Sequence, residues 1–333
     1  MASQIPPDLL SRFFADHTPE SFNGLCLEIF SFQYQNNRVY RIFCDELGIS
    51  PAVVRQPDQI PFLPVEIFKT QRVVSLDGPE KMRFRSSGTS ETGFSEHAVF
   101  LPDLYERSII EGFQRFFGNP SRYAFACLTP SPAQKPDSSL AFMAGVLMKS
   151  CAAGGFFQEN KEGLWAFITE NSSHQLLVLG LSFALADLAE SGCPLPSGSI
   201  VLETGGMKGR RKELRREDLH GLLKRGLGIA KVGSEYSMCE LFSQAWAEDG
   251  EWFRTPPWMK ILIRNLQDPL EVTDGEAGGG INVIDLANIA TCSFIATGDR
   301  GKLKKDGCFM VNGRIRPEDL KGCALFAEPE GDL

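Results

Sequence analysis

From Tyr123 onward, short apolar runs alternate with stretches of helical spacing, and this constrains the fold more than any other feature of the chain. Tyr123–Leu128 reads as a strand, Leu140–Cys151 as a helix, Trp165–Thr169 as a strand and His174–Glu190 as a helix. Ser199–Thr204 follows as a strand running into Gly205-Gly206, then Glu217–Arg225 as a helix and Ala230–Tyr236 as a strand. Strands separated by helices pair in parallel, because the crossover returns each strand in the same direction. The last third changes character. Met259, Ile261 and Ile263 alternate, and Ile281–Leu286, Ser293–Thr297 and Phe309–Val311 add further strands. The expected class is α/β: mixed β-sheets flanked by helices, with a β-rich C-terminal section.

Ahead of this alternation, Ser21–Leu47 carries apolar residues at helical spacing and Ser50-Pro51 ends it. The stretch Ile60–Thr70 reads as extended loop and Val73–Phe84 as short strands. A helix beginning near Asp103, with Glu106 as a capping-box partner, presents Tyr105, Ile109, Phe113, Phe116 and Phe117 on one face.

Composition removes several classes of function. With 43% apolar and 23% charged residues in 333, a sizeable core can form. A net charge of −8 argues against nucleic acid as a main partner, since phosphate binding draws on surplus Lys and Arg. The apolar windows Leu140–Met148 and Leu176–Ala186 fall short of the roughly 20 residues needed to span a bilayer. Met1–Phe14 has no basic cluster followed by an apolar stretch, so no signal peptide is expected and the location is expected to be cytoplasmic. Nine scattered cysteines without a CxxC pair read as reduced thiols, and four dispersed histidines suggest no metal cluster.

Five local features carry chemistry. The loop Ser86-Ser87-Gly88-Thr89-Ser90-Glu91-Thr92-Gly93 offers backbone N–H groups and small hydroxyls to an anion; taken alone it fits an ordinary surface loop equally well. It lacks the Lys-Ser/Thr of a Walker A loop. Tyr236 and Glu240, in Glu235-Tyr236-Ser237-Met238-Cys239-Glu240, supply a ring for a base and a carboxylate for Mg²⁺; alone, a half-buried Tyr and a solvated Glu explain them as well. Asp299, in Thr297-Gly298-Asp299-Arg300-Gly301, can accept from ribose hydroxyls, or simply stabilise a turn. Gly205 and Gly206 allow a flat ligand to approach the backbone, and the basic run from Lys208 to Arg216 suits a solvated helix face. Cys323 follows Gly322 near the end, where it is either a small apolar residue or a thiol on a mobile segment.

The order of these features resembles the adenylate-forming (acyl/aryl ligase) superfamily. More narrowly, the chain is similar to the acyl-protein synthetases of the LuxE type, from about Pro61 onward. The residues that carry this are Pro61-Phe62-Leu63-Pro64 with Phe68-Lys69, the Ser86–Gly93 loop with His97 and Tyr105-Glu106, and Thr204 through Gly209. Tyr236–Gln244 and Gly313-Arg314 through Gly322-Cys323 complete the set. The resemblance implies ATP and Mg²⁺ as cofactors. It implies that Ser86, Ser87, Gly88, Thr89, Ser90, Thr92 and Gly93 cradle the β- and γ-phosphates. Gly205 and Gly206 would line the adenine pocket, with Tyr236 against the base. Asp299 would hold the ribose, helped by Arg314. Glu240 would bind Mg²⁺, with Lys208 assisting catalysis. Cys323 would accept the acyl group before delivery to an acyl-reductase partner resembling acyl-CoA reductases. A fatty acid is the implied substrate; an aromatic core explains the 25 phenylalanines as well as an acyl tunnel does.

Ser237 and Cys239 stand where Gly and Thr are usual in the family, and Arg316 where an Asp hinge is usual. The resemblance also implies a division into 1–312, an adenylate-forming domain, and 313–333, a short arm carrying Cys323, with no mobile C-terminal ligase domain. Two alternatives stand beside this reading: adenylation with CoA, a carrier thiol or an amine as acceptor, and an inactive nucleotide-binding subunit of a reductase complex.

Overall fold

The computed structural model describes residues 5–86, 93–207, 210–211 and 214–316. Of the expected site residues, Ser87, Gly88, Thr89, Ser90, Thr92, Lys208 and Cys323 lie outside the described residues.

The chain opens with three helices, α1 (Pro7–Arg12), α2 (Pro19–Asn36) and α3 (Arg38–Glu46). The single helix expected over Ser21–Leu47 is thus two. Asn37 breaks it: its backbone turns extended, its side chain accepts from the Tyr40 N–H at 3.0 Å to cap α3, and its amide donates to the Thr291 carbonyl at 2.9 Å. The extended loop expected over Ile60–Thr70 contains a two-residue strand, β1 (Leu63–Pro64), and a 3₁₀ turn, Val65–Lys69. Within Val73–Phe84 only β2 (Met82–Arg85) begins, forming a hairpin with β3 (Glu96–Val99).

Helix α4 (Pro102–Phe117) starts one residue before Asp103. Pro102 occupies its first turn and Leu101 stands at the N-cap without a side-chain bond, so the capping box expected from Asp103 and Glu106 is not formed.

The middle of the chain builds a six-stranded sheet in the order β5 (Ala153–Phe156), β4 (Tyr123–Leu128), β6 (Gln175–Leu181), β7 (Ile200–Thr204), β8 (Gly233–Tyr236) and β9 (Ala245–Ala247). All neighbours are parallel except β8 and β9. Its crossovers use α5 (Ser139–Ser150), α6 (Lys161–Glu170), α7 (Ser182–Ala189) and α8 (Arg216–Leu227).

Two expectations fail here. Trp165–Thr169 belongs to helix α6, whose start is capped by Asn160 accepting from the Gly163 N–H at 2.8 Å. The expected helix His174–Glu190 is strand β6 followed by α7. Both elements are buried almost throughout, so their apolar residues run on without the periodicity that separates strand from helix.

The C-terminal section forms a second sheet in the order β10 (Trp252–Phe253), β15 (Phe309–Arg314), β14 (Phe294–Leu303), β13 (Gly279–Asp285), β11 (Met259–Arg264) and β12 (Val272–Thr273). These pairs are antiparallel, whereas β1 joins β14 in parallel, with Leu63 opposite Ile295 and Pro64 opposite Ala296. The position between Asn312 and Gly313, expected as a boundary, falls inside β15. One contiguous core runs from α2 through both sheets, with Phe30, Tyr40, Phe125, Trp246, Trp258 and Phe294 fully buried. No helix among the described residues is long and apolar enough to cross a membrane.

Candidate active site

The carboxyl ends of parallel strands are where open α/β sheets expose backbone to ligands. β8 ends at Tyr236. The Tyr236 hydroxyl donates to Oδ2 of Asp299 at 2.9 Å, and Arg314 Nε lies 3.3 Å from Oδ1 of the same carboxylate. Asp299 is not in a turn, as expected, but within β14, where the register against β15 shifts between Asp299 and Gly301. Such a bulge re-aims a side chain out of the regular pleat. Asp299 and Arg314 are cross-strand partners beside it. The Tyr236 ring rests against Phe253 and Phe309, at centroid distances of 5.9 and 5.4 Å.

Burial pushes the Asp299 carboxyl up, and Arg314 and the Tyr236 hydroxyl act against it. Burial and then the charge of Asp299 hold the Tyr236 phenol well above its usual value, so it stays a donor. Beneath the bulge, the buried Arg264 donates to the carbonyls of Ile281 and Thr297 at 2.7 and 2.6 Å.

Beside β8, β7 delivers Gly205 and Gly206, both with positive φ (71° and 65°), and the space where a Cβ would stand on Gly206 is open. Thr204, just before them, donates to Glu235 at 2.5 Å across the two strands. On the other face, Glu203 accepts from Ser182 and Ser234 at 2.8 and 2.9 Å and from Arg216 at 3.1 Å. Burial raises this carboxyl, but His220, Arg216 and the two hydroxyls outweigh it and bring it to about 2. Glu203 is therefore a permanent anion tying β7, β8, α7 and α8 together below the site.

Ser86 and Gly93 sit at the open end of the β2–β3 hairpin, whose neck closes through Ser86 and Ser95: N–H to carbonyl at 3.1 Å and N–H to Oγ at 3.0 Å. The hairpin is fastened to the Tyr236 strand end by His97, whose Nδ1 donates to the Cys239 carbonyl at 2.5 Å. Its Nε2 lies 2.8 Å from the Thr291 hydroxyl. Burial lowers this imidazole to about 4, so it is neutral. Asn288 donates to the Glu240 carbonyl at 2.7 Å. His97 and Asn288 thus grip the backbone on both sides of the peptide that presents Glu240.

Glu240 itself is buried and forms no ion pair among the described residues. No group of three or more His, Cys, Asp or Glu side chains able to hold a metal occurs among them. One carboxylate is what Mg²⁺ ordinarily takes from a protein when substrate phosphates and water complete its shell, so the donor set fits Mg²⁺ rather than a zinc-type centre.

A cleft of about 600 Å³ adjoins the hairpin, lined by Phe68, Lys69, Arg72, Arg83, Arg85 and Phe94 among others. Its guanidiniums are braced by carboxylates: Arg72 on Glu80 at 2.7 Å, Arg83 and Arg85 on Glu96 at 2.8 and 2.9 Å.

Among the residues expected from sequence, Tyr236, Asp299 and Arg314 thus meet directly, with Gly205 and Gly206 on the adjacent strand end. His97 ties the hairpin bearing Ser86 and Gly93 to the loop of Glu240. Reading for chemistry overlooked Arg264, Asn288 and Glu203, which support the site without an exposed motif. His97 had one signal, its place in the resemblance.

This two-sheet arrangement is that of the adenylate-forming ligases. Over 94% of this chain and 75% of the other, it superposes on 2-hydroxyisobutyryl-CoA ligase, solved in an open conformation with 2-HIB-AMP and CoA, with TM-score 0.69 and 12% identity. MatB from Rhodopseudomonas palustris, solved with ATP, gives TM-score 0.53 at 13% identity over 72% of this chain and 49% of that one. At such identities the likeness concerns the fold alone.

The narrower relationship comes from sequence: residues 12–99 match the family model of the acyl-protein synthetase LuxE. A stretch of 62 residues is 44% identical to the long-chain-fatty-acid–luciferin-component ligase of Vibrio harveyi. That stretch amounts to 18% of this chain and 16% of the Vibrio protein.

Proposed function

We propose that the protein activates a carboxylic acid with ATP as an acyl-adenylate and passes the acyl group to a thiol. The observation that carries the reading is the meeting of Tyr236, Asp299 and Arg314, drawn from three strands of two sheets, in a fold of adenylate-forming ligases. The acid is a fatty acid on the strength of the LuxE-type relationship.

A free carboxylate is a poor acyl donor, because it is anionic and its leaving group would be oxide. Attack of its oxygen on the ATP α-phosphate forms a carboxyl–phosphate bond, breaks the α–β phosphoanhydride and releases pyrophosphate. The protein's task is to position the reactants and offset charge. Asp299 accepts from the ribose hydroxyls, with Tyr236 and Arg314 fixing its orientation. Gly205 and Gly206 admit the base to the strand ends beside Tyr236. Ser86, Ser87, Gly88, Thr89, Ser90, Thr92 and Gly93 direct N–H groups and hydroxyls at the terminal phosphates, next to the cationic cleft. Glu240 holds Mg²⁺, which when bound neutralises phosphate charge, and Lys208 adds a cation.

In the second half-reaction the Cys323 thiolate attacks the acyl carbon, forms a thioester and releases AMP; delivery to a reductase partner follows. A cytoplasmic location suits both halves, since the acceptor thiol must stay reduced.

The test is acid-dependent exchange of pyrophosphate into ATP with Mg²⁺ present. Exchange with fatty acids is expected. Its absence across short, long, aromatic and hydroxylated acids would overturn the reading and favour a nucleotide-binding subunit without catalysis.

A further inference from the structure

Glu235 lies on the face of β8 opposite Tyr236, since consecutive strand residues alternate. There it faces Trp246, its cross-strand partner on β9. Gln244, two residues before Trp246, has the same side of the strand. Among the described residues seven buried side-chain polar atoms have no hydrogen-bond partner, and four are gathered here: Glu235 Oε1, both Gln244 amide atoms and Trp246 Nε1. Folded proteins rarely leave such atoms unpaired, and a cluster of them on one face is rarer still.

The surroundings are aromatic. Tyr105 stacks on Phe142 and Phe242 at 5.4 and 4.6 Å, and Phe84 meets both Tyr105 and Phe142. Burial, and after it the charge of Glu235, raises the Tyr105 phenol, which places that carboxylate near the rings. Apolar walls with a few convergent polar atoms are the usual make-up of a small-molecule site.

This rests on the adenylate-forming reading above, in which the acyl group leaves the α-phosphate near Tyr236. We propose that Glu235, Gln244 and Trp246 recognise a hydroxyl on the acyl chain, so that the preferred acid is hydroxylated rather than plain. The donor and acceptor count selects this group. Trp246 Nε1 and Gln244 Nε2 need an acceptor, while Glu235 Oε1 and Gln244 Oε1 need a donor. A hydroxyl supplies both. An ammonium group leaves the two N–H donors unpaired, a second carboxylate meets Glu235, and a methylene satisfies none of the four.

The experiment compares hydroxylated and plain acids of equal length, with the hydroxyl moved along the chain. It reads kcat/KM for pyrophosphate exchange in the wild type, Gln244→Leu and Trp246→Phe. The wild type is expected to favour one hydroxylated acid by roughly tenfold or more, as sites built around a substrate hydroxyl do. Each variant is expected to bring that ratio toward unity. A wild-type ratio near one at every position, or a ratio the variants do not change, overturns the proposal.

Thermal shift by the acids alone, without ATP, reads the pocket separately. Absent exchange with every acid would remove the adenylation reading, whereas equal thermal shifts from the paired acids would remove this one. Trp246→Phe deletes only the N–H donor and keeps the ring, so it remains informative if Gln244→Leu fails to fold.

Discussion

The hydroxyl of Tyr236 donates to the carboxylate of Asp299 across 63 residues of sequence, joining the end of a parallel strand in one sheet to a bulge in the other. Neither residue has this partner within its own sheet, so the bond exists only when the two sheets pack as they do. Arg314 approaches the same carboxylate from the next strand, on the second oxygen. The resulting acceptor is oriented before any ribose arrives.

Asp299→Asn is expected to raise the KM for ATP about tenfold or more, the scale of losing a charge-assisted hydrogen bond. Tyr236→Phe keeps the ring and removes the bond to Asp299, so its effect should be smaller and of the same kind. Initial-rate kinetics of exchange at varied ATP check both. An unchanged KM in Asp299→Asn would remove the residue from the nucleotide site.

Glu240→Gln should shift the Mg²⁺ dependence rather than the acid dependence. A single carboxylate ligand replaced by a neutral amide is expected to raise the Mg²⁺ needed for half-maximal exchange by roughly tenfold. The fold should survive, because the bond from Asn288 goes to the Glu240 backbone carbonyl and not to its side chain.

His97 sets a pH dependence of stability with a defined sign. Its folded value is near 4 against 6.5 unfolded, so between these limits the unfolded chain binds more protons. Its contribution is complete above pH 6.5 and is lost as pH falls toward 4. Glu235 and Asp285, both raised to about 6 by burial, act oppositely, since their contributions fade as pH rises through 6. The wild type minus His97→Gln difference isolates the imidazole. Denaturant unfolding at pH 7 and pH 4 should show the wild type losing on the order of 3 kcal/mol more than the variant.

Cys323→Ala is expected to abolish a hydroxylamine-labile acyl label on the protein while pyrophosphate exchange continues. Gel autoradiography with labelled acid reads the first and exchange the second. A label that persists in the variant would move the acceptor elsewhere, to CoA, a carrier thiol or an amine.

Much of this arrangement was legible before the structure, and the gaps have physical causes. Strands β4, β7 and β8 were readable because turn residues or helical spacing bound them. The glycines after Thr204 and the tyrosine ending β8 therefore fell where expected. Strand β6 and α7 were not separable, because two buried elements in succession show one continuous apolar run. Helix α6 looked like a strand because Trp165, Phe167 and Ile168 are aromatic or β-branched, and its capping by Asn160 outweighed that preference. The bulge that aims Asp299 depends on pairing with β15, which local sequence does not encode. The contact of His97 with Cys239, 142 residues away, belongs to the same class of information. So do the unpaired atoms of Glu235 and Gln244, which look in sequence like ordinary surface carboxylate and amide.

Leu63 and Pro64 complete their pairing only with Ile295 and Ala296. On the ribosome the stretch carrying them is made early, yet it has no edge to join until nearly the whole described chain has emerged. An interrupted translation product would hold the LuxE-like segment without its anchoring strand. Quality control would then meet an orphaned β-edge, not a half-active enzyme.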